Sequence, residues 1–371
     1  MRKKMRKKNQ PKKTPPIEDR ISALPDEILS YILSFFPTKF AFTTSVLSKR
    51  WNSICNSLPV LHFDFQAEND IEAFILFCRF VDNVLLSPHV QDQPIETLSI
   101  ACKLRLPGCP PFNAEVWIEA SKRRRVVNLH VSAGYFSIPP SVFTSQTLVV
   151  LKLIGVEIDH EVGSVELPSV TTLHLIGVFF KKKDDVKKVL NACPGVVDLH
   201  ATTCSEYLLC YTTGYKIMPN VVKAKIRTYN VPFSAIYNVE SLSIQMVNRR
   251  PKDQYIDSYH RAMPVFQNLI SLELSFYLFP SWVEVVEVLP YCPKLQSLAI
   301  DKVSNELGYQ KDWEYTKPVP ECVSKAIADA EYEINIAFAT EKVARRKEKE
   351  AEAAQKEANI SLSRNYGTEA A

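Results

Sequence analysis

The feature that most constrains this sequence is a short unit, Leu-x-aliphatic, that recurs nine times between residues 98 and 300. The first residues of the nine copies are Leu98, Leu129, Leu151, Leu173, Leu199, Ala224, Leu242, Leu272 and Leu298. Successive copies lie 18 to 31 residues apart, with a mean spacing of 25. A unit this short cannot cover its own apolar face, so neighbouring units have to stack against one another.

Four of the copies share a longer frame, in which a proline stands five residues before the unit. These prolines are Pro168, Pro194, Pro219 and Pro293. Proline ends the preceding segment and favours extended backbone just before it. The mean spacing lies in the range of leucine-rich repeats, about 20–29 residues. The pattern therefore predicts an irregular solenoid in which each repeat adds one strand to a parallel sheet, with helical stretches near 184–193 and 281–289 in the return segments.

The predicted solenoid presents one face to solvent, because strand side chains alternate between the two faces of a sheet. The first and third residues of each unit should point into the core, and the middle residues should form a column on the concave surface. The middle residues are Ser99, His130, Lys152, His174, His200, Lys225, Ser243, Glu273 and Ala299. The centre of this column is basic, and Lys223 and Arg227 flank it on the same face.

This basic column has three interpretations. It is a solvated face without a ligand, a recognition patch for an acidic or phosphorylated segment of a target protein, or a metal site. The candidate target-binding residues are Lys152, His174, His200, Lys223, Lys225 and Arg227. A metal at the two histidines is disfavoured, because zinc usually takes three or four ligands and we expect no carboxylate or cysteine beside them. We predict no metal site.

Composition excludes several classes of enzyme. The chain has 371 residues, which suggests about two domains. It has nine glycines, and the closest two, Gly155 and Gly163, are eight residues apart. Dinucleotide-binding, P-loop and nucleophile-elbow motifs all need closer glycines. His160-Glu161 begins a zincin-like pattern, but Ser164 replaces the second histidine. We therefore expect neither catalysis nor a cofactor.

Other features concern the compartment and the two ends of the chain. No apolar run is long enough for a transmembrane helix, and the nine cysteines contain no C-x-x-C pair, which indicates reduced thiols in the cytosol or nucleus. Residues 1–13 hold eight Lys/Arg and no acid, which predicts a disordered tail or a nuclear-import patch. No aromatic residue is interleaved with these charges, which argues against nucleic-acid binding. Residues 326–358 are rich in Ala, Glu and Lys and predict a charged helix.

Three short helices are predicted between residues 19 and 64. The first begins at Pro25, and its apolar face is formed by Ile28, Leu29, Ile32, Leu33 and Phe36. Thr38 is predicted to cap the second helix, from about 39 to 46, and Ser48 the third. In the third helix the apolar positions are Trp51, Ile54, Cys55 and Leu58. A module of this size buries little surface alone and needs a neighbour.

Two segments of this module carry a resemblance to a known family. Leu-Pro-Asp-Glu-Ile-Leu at 24–29 and Leu-Ser-Lys-Arg-Trp at 47–51 resemble the two halves of a plant F-box. The resemblance implies a helical module that docks on the Skp adaptor of a cullin–RING ubiquitin ligase. It implies that the docking surface is formed or supported by Leu24, Pro25, Ile28, Leu29, Val46, Leu47 and Trp51. The alternative is that these residues form the core of the module, which we favour for Leu29, Leu33 and Ile54.

A second resemblance lies near the carboxyl end. Residues 313–323, Trp-Glu-Tyr-Thr-Lys-Pro-Val-Pro-Glu-Cys-Val, resemble the opening of the FBD segment of the same plant F-box/leucine-rich-repeat family, without its continuation. The predicted divisions are a basic tail at 1–16, an F-box at 17–65, repeats at 66–310, a partial FBD-like segment at 311–325 and a charged helix and tail at 326–371.

The two resemblances imply a non-catalytic substrate receptor of an SCF-type ubiquitin ligase in the nucleus or cytoplasm. Its partners would be the Skp adaptor and a target protein bound by the repeats. The alternative is an interaction scaffold that takes no part in ubiquitin transfer.

Overall fold

A computed structural model describes residues 19–66, 70–90, 93–102, 114–134, 136–158, 160–203, 214–227, 230–246, 263–276, 285 and 288–302. The predicted FBD-like segment, the charged helix and the basic tail lie outside these ranges. No helix of the described residues is long and apolar enough to cross a membrane.

The helices of the described chain are short, except for one. They are α1 Asp26–Ser34, α2 Thr38–Thr43, α3 Lys49–Asn56, α4 Ile71–Leu85, α5 Ala114–Arg123 and α6 Lys183–Asn191. The predicted cap of the third helix is confirmed, because Ser48 Oγ accepts a hydrogen bond from the Trp51 amide at 3.3 Å. The predicted cap of the second is wrong: Pro37 stands at the cap position, and Thr38 is already helical.

The strands form one large parallel sheet and a two-stranded one. They are β1 Val60–Phe65, β2 Thr97–Cys102, β3 Asn128–Ala133, β4 Val150–Ile154, β5 Glu157–Ile158, β6 Thr172–Ile176, β7 Phe179–Phe180, β8 Asp198–Thr202, β9 Lys223–Arg227, β10 Ser241–Met246, β11 Ser271–Phe276 and β12 Ser297–Lys302. The large sheet has the order β1-β2-β3-β4-β6-β8-β9-β10-β11-β12, so its strands follow one another in chain order. β5 pairs with β7.

The register of the sheet places every Leu-x-aliphatic unit beside the next. Leu98 pairs with Leu129, Leu129 with Leu151, and the first residues continue in line as far as Leu298. On β2, β3 and β4 buried and half-exposed side chains alternate as predicted. The sheet also has one strand that the repeat pattern did not predict. On this strand, β1, Leu61-His62-Phe63 aligns with Leu98-Ser99-Ile100 of β2.

The turns after two strands depend on glycine. Gly155 follows β4 with a φ of 63°, and Gly177 follows β6 with a φ of 62°. This left-handed backbone conformation is unfavourable for residues with a side chain. The amide of Gly155 donates to the Ile176 carbonyl at 2.8 Å, and a Cβ at Gly155 would lie 3.3 Å from the Ala133 carbonyl oxygen. At Gly155 the missing side chain thus also lets successive repeats approach closely.

The helical module and the sheet share one hydrophobic core. Leu29 and Leu33 of α1 and Ile54 of α3 belong to the same buried cluster as Leu61 and Leu98 of the sheet. The module therefore has the neighbour that its size requires.

Thr38 makes the most direct polar link between the two parts. Its side chain is 1% exposed, and its Oγ1 accepts a hydrogen bond from the amide of His62 at 2.7 Å. β1 is the first strand of the sheet, and a free strand edge leaves unpaired amides that attract other chains. The residue expected to cap a helix thus closes part of the sheet edge instead.

Removal of the Thr38 hydroxyl tests this link. We expect Thr38→Val to lower the free energy of unfolding by about 1–3 kcal/mol, because the half-buried His62 amide loses its acceptor. Thr43→Val is the control: Thr43 is exposed, its hydroxyl donates only to Phe40 one turn earlier, and its loss should cost less than about 0.5 kcal/mol. Urea titrations that give equal losses for the two variants would contradict the link.

The centre and the last strand of the large sheet should respond differently to the same truncation of a leucine. Leu173 is fully buried, and Leu173→Ala should cost about 2–5 kcal/mol of unfolding free energy. The repeat phase predicts that Leu298 is buried too, but this is wrong: it is 40% exposed on β12, the last described strand. Leu298→Ala removes less buried surface and should cost about 1 kcal/mol or less. Equal costs in chemical denaturation would show that β12 is covered as fully as β6.

Candidate docking surfaces

Helix α1 has two apolar stripes, of which one is buried. Leu29 and Leu33 are 1% and 5% exposed and face the core. A second stripe has the spacing i, i+3, i+4, i+7 of one helix face. Its members are Ile28, Tyr31, Ile32 and Phe35, with exposed fractions of 40% to 68%. The helix therefore completes its own core with one stripe and leaves the other to solvent.

Further exposed hydrophobic side chains accompany the stripe in the same part of the chain, and we call the whole set the apolar docking surface. Nine of the twenty large hydrophobic side chains that are exposed in the described chain lie between residues 21 and 47. They are Ile21, Ile28, Tyr31, Ile32, Phe35, Phe36, Phe40, Val46 and Leu47. An exposed cluster of this kind marks an interaction site in a soluble protein.

The loop before α1 is held in place by Arg50 of α3. The Arg50 guanidinium donates to the carbonyl oxygens of Ser22 and Leu24, and it pairs with the Asp26 carboxylate at 2.6 Å. Arg50 thereby fixes Leu24, which is half-buried and packed on the core, and the exposed Pro25 that follows it. The sequence contained Arg50 within a motif, but only the folded chain shows what it contacts.

The seven residues that the resemblance implied for docking differ in their exposure to solvent. Pro25, Ile28, Val46 and Leu47 are exposed, and Val46 is 85% exposed. Leu24 and Trp51 are half-buried against the core and support the surface from below, and Leu29 belongs to the core alone. Missing from the expected set are the aromatic residues Tyr31, Phe35, Phe36 and Phe40. A helical-wheel reading of α1 would have found the first two, as a second stripe beside the buried one.

The second surface is the side of the large sheet on which the middle residues of the units lie; we call it the open face. The middle residues align from His62 on β1 to Ala299 on β12. The predicted target-binding residues come together at its centre, with Lys152, His174, His200 and Lys225 in register on β4, β6, β8 and β9. Lys223 and Arg227 lie on β9 to either side of Lys225.

The open face also contains a carboxylate that the sequence analysis did not expect. Asp198 stands one position before the unit on β8, and its Oδ2 lies 3.2 Å from His174 Nε2. It is also in register with Lys223 on β9. The expectation that no carboxylate lies beside the two histidines is therefore wrong, because only the middle residues of the units were considered. Within the described ranges no three His, Cys, Asp or Glu side chains are grouped to hold a metal ion.

The histidines of the column contribute little positive charge. The His174 and His200 rings are in edge contact, with centroids 5.6 Å apart. Burial lowers the pKa of His200 to about 4, and the neighbouring His174 and Lys225 act in the same direction. Burial also lowers the pKa of His174, although Asp198 opposes the shift. Near neutral pH both rings are uncharged, so the positive charge of the face comes from Lys152 and the three cations of β9.

Comparisons with known proteins identify the family to which the helical module and the repeats belong. A model of the F-box domain matches residues 21–63. A protein of Arabidopsis thaliana described as F-box/FBD/LRR-repeat is 30% identical over 353 residues, which cover 82% of this chain and 81% of that protein. The chain belongs to this plant F-box/FBD/LRR-repeat family.

Two further relatives from the same plant support the assignment. An FBD-associated F-box protein is 29% identical over 370 residues, which cover 85% of this chain and 92% of its own length. Another F-box/FBD/LRR-repeat protein is 35% identical over 187 residues, which span 49% of this chain and only 40% of that relative. The descriptions of these relatives name no catalytic activity.

The F-box assignment covers α1, α2 and α3 and most of β1. Its boundary at residue 63 falls inside the first strand of the sheet. The apolar docking surface, which spans residues 21–47, lies entirely within the F-box.

The pKa of His200 makes stability depend on pH in a defined window. Between pH 6.5 and about 4 the unfolded chain protonates this imidazole and the folded chain does not. The free energy of unfolding should therefore fall as the pH falls through that window. His200→Asn should make this decline shallower in urea titrations at pH 7, 5.5 and 4.5. An unchanged slope for His200→Asn would contradict the assignment.

Proposed function

We propose that this protein is the substrate-recognition subunit of an SCF-type cullin–RING E3 ubiquitin ligase. The F-box docks on a Skp-type adaptor through the apolar docking surface. The repeats form an irregular leucine-rich-repeat solenoid, whose open face binds the target protein. The chain catalyses no reaction itself and acts by holding the target close to chemistry that other subunits perform. We expect it in the nucleus or cytoplasm.

The observation that carries the proposal is that α1 has one buried and one exposed apolar stripe. Its buried stripe already completes a core with α3 and the sheet, so the exposed stripe has no role in holding the described fold together. Exposed aromatic and aliphatic side chains cost solubility, and they contribute binding energy when a partner covers them. Family membership supplies the partner, because F-box domains generally bind Skp-type adaptors.

Val46 and Leu47 offer the sharpest test, because they are 85% and 66% exposed and contribute little to the fold. We expect Val46→Asp with Leu47→Asp to weaken binding of a purified plant Skp-type adaptor at least about 100-fold, since two charges would be desolvated at the interface. Isothermal calorimetry measures the affinity, and the melting temperature should stay within a few degrees of the wild type.

The matched control carries two aspartates at exposed apolar positions outside the F-box. Leu76 on α4 is 63% exposed, and Val116 on α5 is 46% exposed. Leu76→Asp with Val116→Asp should bind the adaptor as the wild type does. If the wild-type chain binds no Skp-type adaptor, or if both double variants bind it equally well, the protein is a ligase-independent scaffold or docks through another surface.

A further inference from the structure

A groove lies between the helices of the F-box and the start of the large sheet. Its volume is about 630 Å³, and its walls are formed by α1, α3, β1 and the chain that leads into β2. A groove of this size accommodates a few side chains rather than a folded domain. We call it the acidic groove, because it is lined by the carboxylates of Asp26, Glu27 and Glu96 and by no lysine, arginine or histidine of the described chain.

Polar side chains of two helices form much of the wall. Asp26, Ser30 and Ser34 of α1 are four residues apart, so they lie on one side of the helix. Ser53 and Ser57 of α3 have the same spacing and line the groove as well. The wall therefore combines carboxylates with hydroxyl groups, and both accept hydrogen bonds from ammonium and guanidinium groups.

Two of the three carboxylates are left without a cation. Asp26 is already paired with Arg50 at 2.6 Å. Glu27 and Glu96 are exposed, and neither carboxylate forms an ion pair or hydrogen bond with any residue that the structure describes. Arg124, which is buried, donates from Nε to a main-chain oxygen of the wall at 2.8 Å and not to either carboxylate. The groove therefore has a negative charge that the described fold does not balance.

The sequence supplies a segment of opposite charge beside the groove. Residues 1–13, which lie outside the described ranges, hold eight Lys/Arg and no acid. The chain passes close to the groove at Ser22, whose carbonyl oxygen accepts a hydrogen bond from the same Arg50 guanidinium that pairs with Asp26. From Ser22 back to Lys13 there are nine residues, which span about 30 Å when extended. The basic segment can therefore reach the groove.

The covalent link favours this segment over a basic segment of another protein. Ion pairs at exposed positions are weak, so two of them do not hold a separate peptide tightly. A segment that is joined to its site by a short linker is present at an effective concentration in the millimolar range. Weak contacts therefore suffice to hold the chain's own segment.

We propose that the acidic groove binds the chain's own basic segment, residues 1–13. Ammonium and guanidinium groups of the segment pair with Glu27 and Glu96 and donate hydrogen bonds to the serine hydroxyls of the wall. The segment that the sequence analysis interpreted as a disordered tail or a nuclear-import patch is then held against the F-box. The contact requires no adaptor and does not rest on the proposed function.

Carbodiimide cross-linking of the full chain tests the contact. The reagent joins a lysine amine to a carboxylate that it touches, and mass spectrometry identifies the joined peptides. Glu96 is the diagnostic residue, because it lies far from residues 1–13 in the sequence. We expect these lysines to cross-link to Glu96 at least about tenfold more often than to Glu72 and Glu115, which are exposed in the first turns of α4 and α5.

Two further properties of the cross-links follow from the proposal. Their yield should fall as salt rises, because the ion pairs are screened. They should join residues of one chain, so their yield should not depend on protein concentration.

A synthetic peptide of residues 2–13 that carries fluorescein measures whether the groove is occupied. Fluorescence anisotropy at low salt compares its binding to the wild-type chain and to a neutralised variant, in which the six Lys/Arg between positions 2 and 8 are replaced by glutamine. We expect the neutralised variant to bind the peptide at least about tenfold more tightly, because its own segment no longer competes.

Substitutions in the neutralised variant identify where the peptide binds. Glu27→Gln with Glu96→Gln should weaken binding at least about fivefold, and Glu96→Gln alone should weaken it about twofold or more. Glu72→Gln with Glu115→Gln is the matched control, because it removes two carboxylates from exposed positions in the first turns of other helices. This control should change binding less than about twofold, and every variant should keep the melting temperature of its parent.

Four results would overturn the proposal. They are cross-links that are spread evenly over Glu72, Glu96 and Glu115, cross-links that join two chains instead of one, equal affinity of the peptide for the wild-type chain and the neutralised variant, and peptide binding that ignores the Glu27 and Glu96 substitutions. None of these results bears on adaptor binding, which the calorimetric assay measures separately.

Discussion

The in-register stacking of aliphatic side chains across the parallel sheet is the interaction on which the rest of the structure depends. Each Leu-x-aliphatic unit buries two side chains only when another unit covers them, so the repeats are stable together and not alone. Because side chains alternate along a strand, burial of the first and third residues places the middle residue on the open face. The same constraint that builds the core therefore assembles Lys152, His174, His200 and Lys225, which lie up to 73 positions apart in the sequence.

The F-box depends on this sheet as well. Three helices in about thirty residues cannot bury enough apolar surface to fold independently, and here their inward side chains join the core of the repeats. The buried Thr38 adds a hydrogen bond to the first strand. Because the inward side chains of α1 pack in the core shared with the sheet, a full stripe of aliphatic and aromatic residues can face solvent. One stripe of the helix thus stabilises the module, and the neighbouring stripe is the one that the proposed function assigns to a partner.

The sequence predicted those parts of the fold that follow from short-range periodicity. All nine Leu-x-aliphatic copies lie on strands of the large sheet, and Ser48 caps α3. β1 was missed because its third residue is Phe63 rather than an aliphatic side chain. The burial of Leu298 was predicted wrongly, since periodicity gives the phase of a side chain but not whether another layer covers it. Thr38 was wrongly predicted as a helix cap, because its actual partner, the His62 amide, is 24 residues away and local sequence does not reveal it.

The candidate sites were harder to predict than the fold, for a related reason. Hydrophobicity alone does not distinguish the buried stripe of α1 from the exposed one, so Tyr31 and Phe35 were missed. The core position that was favoured for Leu29 is confirmed. On the open face, Asp198 and the burial of the two histidines change the charge balance, and both depend on neighbouring strands.

The central claim is that the F-box uses its apolar docking surface to bind a Skp-type adaptor. Hydrogen–deuterium exchange of the full chain, with and without a purified plant Skp-type adaptor, tests this most directly, because it locates the contact without any substitution. The account predicts slower exchange within residues 21–51 in the complex and unchanged exchange on β4, β6, β8 and β9. An adaptor that slows exchange on those strands and not in the F-box, or that slows it nowhere, would contradict the claim.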